Sequence, residues 1–172
     1  MLKTNVAYPF TKTWLDYPDG EGVAISVYFM GCDNGCRDCS NPFFLSKESK
    51  RGTIMQESEF IEKLRESTKL SNTNKVVLTG GDPLFKENIE FTKNFLNKYY
   101  KEFDICVYTG KSVGYVKENK ITNFSYIKTG LFDKTTQQMS VKTDKYLTFS
   151  SINQELYDSD FKLLSENGIY RF

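Results

Sequence analysis

The 172-residue chain contains no histidine. That absence removes the commonest general acid or base and the commonest nitrogen ligand for zinc, iron or copper, so a metal site here must use thiolates or carboxylates. Neither sign of charge dominates: 23 Lys and Arg face 22 Asp and Glu. No strong overall field therefore draws the protein to nucleic acid, a membrane surface or an acidic ligand. No run approaches the roughly 20 apolar residues of a membrane helix, and the opening MLKTNVAYPF lacks the basic-then-apolar pattern of a secretory signal. The expectation is a cytoplasmic protein with no nucleic-acid or membrane partner. Repeats and low-complexity linkers are missing too, and the length suits one domain over residues 1–172, large enough to need no disulfide or metal staple. Only four cysteines are present. In a reducing cytosol they favour metal binding or redox chemistry over disulfides.

Apolar periodicity organises most of the chain. After an irregular start, VAISVYFM (23–30) is a β-branched and aromatic run that reads as a buried strand. SEFIEKLRESTKL (58–70) is helical, with Phe60, Ile61 and Leu64 on one face. A strand KVVLT (75–79), a helix in KENIEFTKNFLNKYY (86–100) and a strand DICVYT (104–109) follow. A short helix in SVGYVKENK (112–120) then leads to a fourth strand, FSYIKT (124–129). This alternation predicts an α/β fold with a mainly parallel sheet and right-handed crossovers. A complete eight-fold barrel takes about 250 residues, so a partial, open β/α barrel is expected. Further on, DKTTQQMSVKTDK (133–145) is polar, YLTFSS (146–151) reads as a last strand and SDFKLLSEN (159–167) as a short terminal helix.

Chemistry concentrates in MGCDNGCRDCSNP (30–42), where Cys32, Cys36 and Cys39 fall within eight residues. Iron-sulfur clusters and structural zinc both take thiolates from tight loops, because a loop can wrap one centre without straining a helix or strand. Cys106 is the one other thiol, and in the apolar run DICVYT it reads as small core filling. A three-thiolate site leaves one metal position open, which distinguishes a catalytic metal site from a closed structural one. With Cys106 as fourth ligand, the alternative is a zinc-stabilised binding module. The second strand ends in LTGGDP (78–83). Glycines there allow close approach to a ligand, and Pro83 restricts the turn.

The C-x3-C-x2-C loop directly after the first strand resembles the signature of radical S-adenosylmethionine (SAM) enzymes, and GGDP resembles their glycine turn. More closely, PDGEGVAISVYFMGC, CDNGCRDCSNP, VVLTGGDPLF, VYTGKS, YIKTGLFD and SSINQELY, in that order, resemble the family of activating enzymes of anaerobic, glycyl-radical ribonucleotide reductases. Together they cover most of residues 18–157. Ser40 departs from the aromatic common at its position, and Glu155 from a basic residue.

The resemblance implies a single radical SAM domain and one 4Fe-4S cluster held by Cys32, Cys36 and Cys39. The amino and carboxylate groups of SAM would chelate the fourth iron, and one-electron cleavage would give methionine and a 5'-deoxyadenosyl radical. It implies Asp38, Cys39 and Ser40 beside the adenine, with Gly80, Gly81 and Asp82 at the methionine end. Thr109 and Lys128 are secondary candidates for the ribose or carboxylate, equally readable as ordinary strand-terminal residues. The implied partners are the large subunit of anaerobic ribonucleoside-triphosphate reductase, which yields a glycine hydrogen, and an electron donor such as flavodoxin. Homolysis and hydrogen-atom transfer need no histidine, because the cofactor carries the difficult chemistry. An open barrel side suits a protein substrate. The alternative within the same chemistry is a small-molecule enzyme resembling the compact 7-carboxy-7-deazaguanine synthases.

Overall fold

The computed structural model describes residues 2–172. Its centre is four parallel strands: β3 (Ala24–Phe29), β5 (Lys75–Gly80), β6 (Asp104–Tyr108) and β7 (Tyr126–Thr129), adjacent in that order. Between them run α1 (Glu57–Leu70), α2 (Ile89–Tyr99) and the one-turn α3 (Val113–Glu118). The alternating strands and helices expected from periodicity are thus present. The sheet does not close. One side is extended by β1 (Lys3–Ala7), antiparallel to β3, and by the edge strand β4 (Gly52–Gln56); the other ends in β9 (Glu155–Asp158), antiparallel to β7. A short β2 (Thr11–Thr13) pairs with the start of β3.

Each helix forms where its sequence supplies both a face and compatible ends. In α1, Phe60, Ile61, Leu64 and Thr68 are buried, Glu57 and Glu59 occupy the first turn and Lys69 the last, matching the helix dipole. Ser112 caps α3 by accepting from Tyr115 N at 3.2 Å. Phe60, Phe91 and Phe95 meet edge to face, with centroids 5.1 and 5.6 Å apart. They pack on the outward residues of the strands, among them Ile25, Val27, Val76, Leu78, Ile105 and Ile127.

Strand alternation sends Ser26, Tyr28, Val77, Thr79, Cys106, Tyr108, Tyr126 and Lys128 to the opposite, inner face. That face is covered by the Trp14–Gly20 loop and by a second sheet of β8 (Tyr146–Thr148), β11 (Ile169–Arg171) and β10 (Ser165–Glu166). Tyr108 Oη donates to Asp16 O at 2.6 Å, Ser26 Oγ to Asp16 Oδ2 at 2.8 Å, and the buried Lys142 Nζ to Tyr17 O at 2.9 Å. These bonds fix the loop beneath the sheet.

Three expectations need correction. The start is not irregular throughout, since Lys3–Ala7 and Thr11–Thr13 form β1 and β2. Residues 52–56, unassigned from the sequence, form the edge strand β4. The terminal helix over SDFKLLSEN is replaced by a turn and the two-residue β10. There Asp158 Oδ1 accepts from Asp160 N and Lys162 N, at 3.0 and 2.9 Å. Phe161 takes φ +59° and packs edge to face on Phe124, and Leu164 N returns to Leu156 O. The turn satisfies the backbone that a helix would otherwise pair. The strand read over 146–151 exists, but it is shorter and belongs to the second sheet. No helix of the described residues is long and apolar enough to cross a membrane.

Candidate metal centre

All four parallel strands finish at one end of the sheet, where ligands of open α/β sheets characteristically bind. β3 runs into the cysteine loop, β5 into Gly80-Gly81-Asp82-Pro83, β6 into Thr109-Gly110 and β7 into Gly130. Backbone bonds fasten the first two together. Gly31 N donates to Phe44 O at 2.8 Å and Cys32 N to Leu45 O at 3.2 Å, closing the loop at its base. Gly81 N reaches Phe29 O at 2.8 Å, and Asp82 N reaches Gly31 O at 2.9 Å. Below them, the buried Asn88 amide donates to both Met30 O and Asp82 O, at 3.0 and 2.9 Å.

This close docking explains the glycine pair. Gly80 has φ +106°, a left-handed conformation that disfavours a side chain, and a Cβ there would strike the Phe29 backbone. At Gly81 a Cβ would meet the carbonyl oxygens of Gly31 and Phe44. Any side chain at either position would push the turn away from the cysteine loop.

Cys32, Cys36 and Cys39 are partly exposed and line one shallow cup with Ser40, Gly80 and Gly81. Two sulfurs already accept amide hydrogens: Cys32 Sγ from Asn34 N and Cys39 Sγ from Asn41 N, each at 3.4 Å. Burial pushes the Cys32 thiol up to about 11, so the bare site disfavours the thiolate that a bound cation would stabilise. Cys106 does not join the three. It is fully buried among Tyr17, Ala24 and Val77, and burial pushes its thiol well above the ordinary range. Among the described residues, no three His, Cys, Asp or Glu side chains are grouped to hold a single metal ion. The donor set is three soft sulfurs around one cup, which fits the spread ligation of an iron-sulfur cluster better than four-coordinate zinc.

The cup continues inward to a cavity of about 220 Å³, bounded in part by Leu15, Tyr28, Val141 and Phe149. Ser40, Asn41, Thr79, Tyr108, Lys128 and Gln154 line both spaces. The Lys128 ammonium pairs with no carboxylate among the described residues; burial pushes it down to about 8. Tyr28 stacks on Phe44 at 4.7 Å between centroids, bracing the loop against the inner face.

Of the residues singled out from sequence, the three cysteines, Ser40, Gly80, Gly81, Thr109 and Lys128 line this site. Asp38 stands exposed at φ +53° and lines neither space. Asp82 is fully buried beneath the cup, its carboxylate consumed by hydrogen bonds from Asn34, Leu84, Thr109 and Gly110. Sequence reading missed Asn34, Tyr28, Tyr108 and Gln154. Strand alternation marks Tyr28 and Tyr108 as neighbours of the inner face, but Asn34 carries no comparable signal.

A protein-family model described as "4Fe-4S single cluster domain" matches residues 18–157. The chain is 26% identical over 131 residues to the anaerobic ribonucleoside-triphosphate reductase-activating protein of Haemophilus influenzae, covering 73% of this chain and 82% of that one. It is 27% identical over 158 residues to the protein of the same name from Pasteurella multocida, covering 83% and 91%. It is also 26% identical over 159 residues to the 7-carboxy-7-deazaguanine synthase of Clostridium acetobutylicum. That match covers 90% of this chain but spans only 63% of the relative's length.

Proposed function

The chain belongs to the 4Fe-4S single cluster domain family, and on that premise we propose that it activates an anaerobic ribonucleoside-triphosphate reductase by creating a glycyl radical on its large subunit. In this reading Cys32, Cys36 and Cys39 hold one 4Fe-4S cluster, with SAM completing the site. The observation that carries it is the convergence of three thiols from one loop on a cup at the ends of four parallel strands, with Cys106 packed elsewhere. The names of the Haemophilus and Pasteurella relatives favour a protein substrate.

Once bound, such a cluster with SAM supplies a one-electron cleavage of the sulfonium and a deoxyadenosyl radical able to take a glycine Cα hydrogen. The chain's own residues do the positioning. Gly80 and Gly81 bring backbone against the cysteine loop and leave carbonyls for an ammonium to donate to. Ser40 lies between cup and cavity, suited to adenine, while Thr79 and Thr109 offer hydroxyls. The Lys128 ammonium gives the inner wall a cation opposite the sulfur ligands. The open sheet leaves an approach for a loop of the reductase, and an electron carrier such as flavodoxin supplies the electron.

A second reading, a small-molecule enzyme like the Clostridium synthase, draws support from that match and from the cavity behind the cup. Both readings require the same first chemistry. Anaerobic reconstitution with iron and sulfide, then SAM and dithionite, is expected to yield 5'-deoxyadenosine, and Cys36→Ala is expected to abolish it. A protein that assembles no cluster, or a Cys36→Ala variant that still cleaves SAM, contradicts the proposal.

A further inference from the structure

The Asp82 carboxylate is fully buried, yet no cation faces it at ion-pairing distance among the described residues. A buried carboxylate must be satisfied by donors, and here they come from three separate pieces of chain. Leu84 N donates from its own turn at 2.8 Å. From the end of β6, Thr109 Oγ1 approaches both oxygens, at 2.8 and 3.0 Å, and Gly110 N reaches Oδ2 at 3.0 Å. The third source is the cysteine loop, where Asn34 Nδ2 donates to Oδ2 at 2.6 Å.

Asn34 is thus tied at both ends. Its backbone N–H donates to Cys32 Sγ and its side chain to Asp82. It lies in the space that a Cβ on Gly110 would fill, so the third strand's turn is shaped to receive it. A parallel tie runs from Lys111 Nζ to Asp33 Oδ1 at 2.6 Å, but that contact is partly exposed and correspondingly weaker. The Asn34–Asp82 bond is short and ends on a fully buried acceptor, a setting in which a hydrogen bond holds geometry well.

We infer that Asn34 is a positioning residue, which through Asp82 sets the seat of the cysteine loop over the Gly80-Gly81 turn and so registers the cluster side of the site with the SAM side. This rests on the proposed cluster and SAM assignment for its functional arm, but not for its structural arm. An amide suits the position because it donates to a carboxylate that has no cation partner. An aspartate would set two carboxylates together, and an alanine would leave Oδ2 one donor short.

The structural arm uses the metal-free chain. Asn34→Ala is expected to speed hydrogen–deuterium exchange of the 31–41 amides by about tenfold, while β5 and β6 exchange as before. The functional arm uses the reconstituted protein. Iron content is expected to stay at the wild-type level, KM for SAM to rise about tenfold with kcat changed far less, and Asn34→Asp to be worse than Asn34→Ala. Combining Asn34→Ala with Asp82→Asn is expected to add little to Asp82→Asn alone. Unchanged loop exchange, or unchanged KM beside a general loss of thermal stability, overturns the inference. If the wild-type chain assembles no cluster, the functional proposal fails while the exchange result still decides the structural tie.

Discussion

The Lys128 ammonium stands 4.6 Å from the centre of the Tyr108 ring, the two side chains projecting from neighbouring strands into the inner face. The ring face and the distant negative groups favour the cation, but burial outweighs them and takes Lys128 from 10.5 down to about 8. A lysine with a depressed folded pKa binds fewer protons in the folded than in the unfolded chain between those two values, so its contribution to stability rises with pH across that window. Below about pH 8 its full cost is present. In the metal-free protein, Lys128→Met is therefore expected to be more stable than wild type at pH 7 by about 2 kcal/mol, the full shift being discounted for partial exposure. The difference should shrink between pH 8 and 10.5, as followed by denaturant melts. The same variant is expected to lose SAM turnover, because a cavity-wall cation that lowers stability is retained for binding.

Cys106 tests which thiols form the metal centre. Cys106→Ser changes one atom in a sealed environment and is expected to cost about 1–2 kcal/mol for an unsatisfied hydroxyl. Iron and sulfide content should stay at the level of the wild type. Serine at Cys32, Cys36 or Cys39 should instead abolish cluster assembly while leaving the thermal melt nearly unchanged. Metal analysis and urea titration of the four variants separate these outcomes, and loss of metal with Cys106→Ser as well as with the three loop variants would restore the zinc alternative.

Two glycines differ in the room around them. At Gly81 a Cβ would run into backbone oxygens that cannot swing aside, so Gly81→Ala is expected to destabilise by about 1–3 kcal/mol and to weaken SAM binding. At Gly114, in the exposed α3, the nearest atom is Ser112 Oγ at an ordinary 3.7 Å. Gly114→Ala is expected to stabilise by about 0.5–1 kcal/mol. Thermal melts of the two metal-free variants check both signs.

The legible parts of this fold are those where one face of an element is apolar. Val27, Val76, Ile105 and Ile127 announce buried parallel strands, and Phe60, Leu64, Phe91 and Phe95 announce the helices over them. Strand β4 was hidden because edge strands keep an exposed side: Ile54 is 69% exposed and Thr53 faces solvent, leaving only Met55 fully buried. Residues 159–167 have helix-like composition, but Asp158 satisfies the local amides and Phe161 turns the chain away. At the site, the thiols and glycines were legible because chemistry limits those positions to few residue types. Asn34 was not, since its role depends on which strand ends meet across the sheet, and strand alternation put Tyr28 and Tyr108 on the inner face without marking them as site residues. Asp82 illustrates both cases. Its place in the glycine turn was visible in the sequence, whereas its burial beneath the cup depends on donors at positions 34, 109 and 110.

The identity of the hydrogen donor is the central claim, and one spectrum tests it. The anaerobically reconstituted protein, SAM and dithionite are mixed with the large subunit of an anaerobic ribonucleoside-triphosphate reductase from the same source and frozen for electron paramagnetic resonance. The account predicts a glycyl-radical doublet on the large subunit, absent when its radical-site glycine is replaced by alanine and absent with Cys36→Ala. Formation of 5'-deoxyadenosine with no glycyl signal would contradict it and favour a small-molecule substrate.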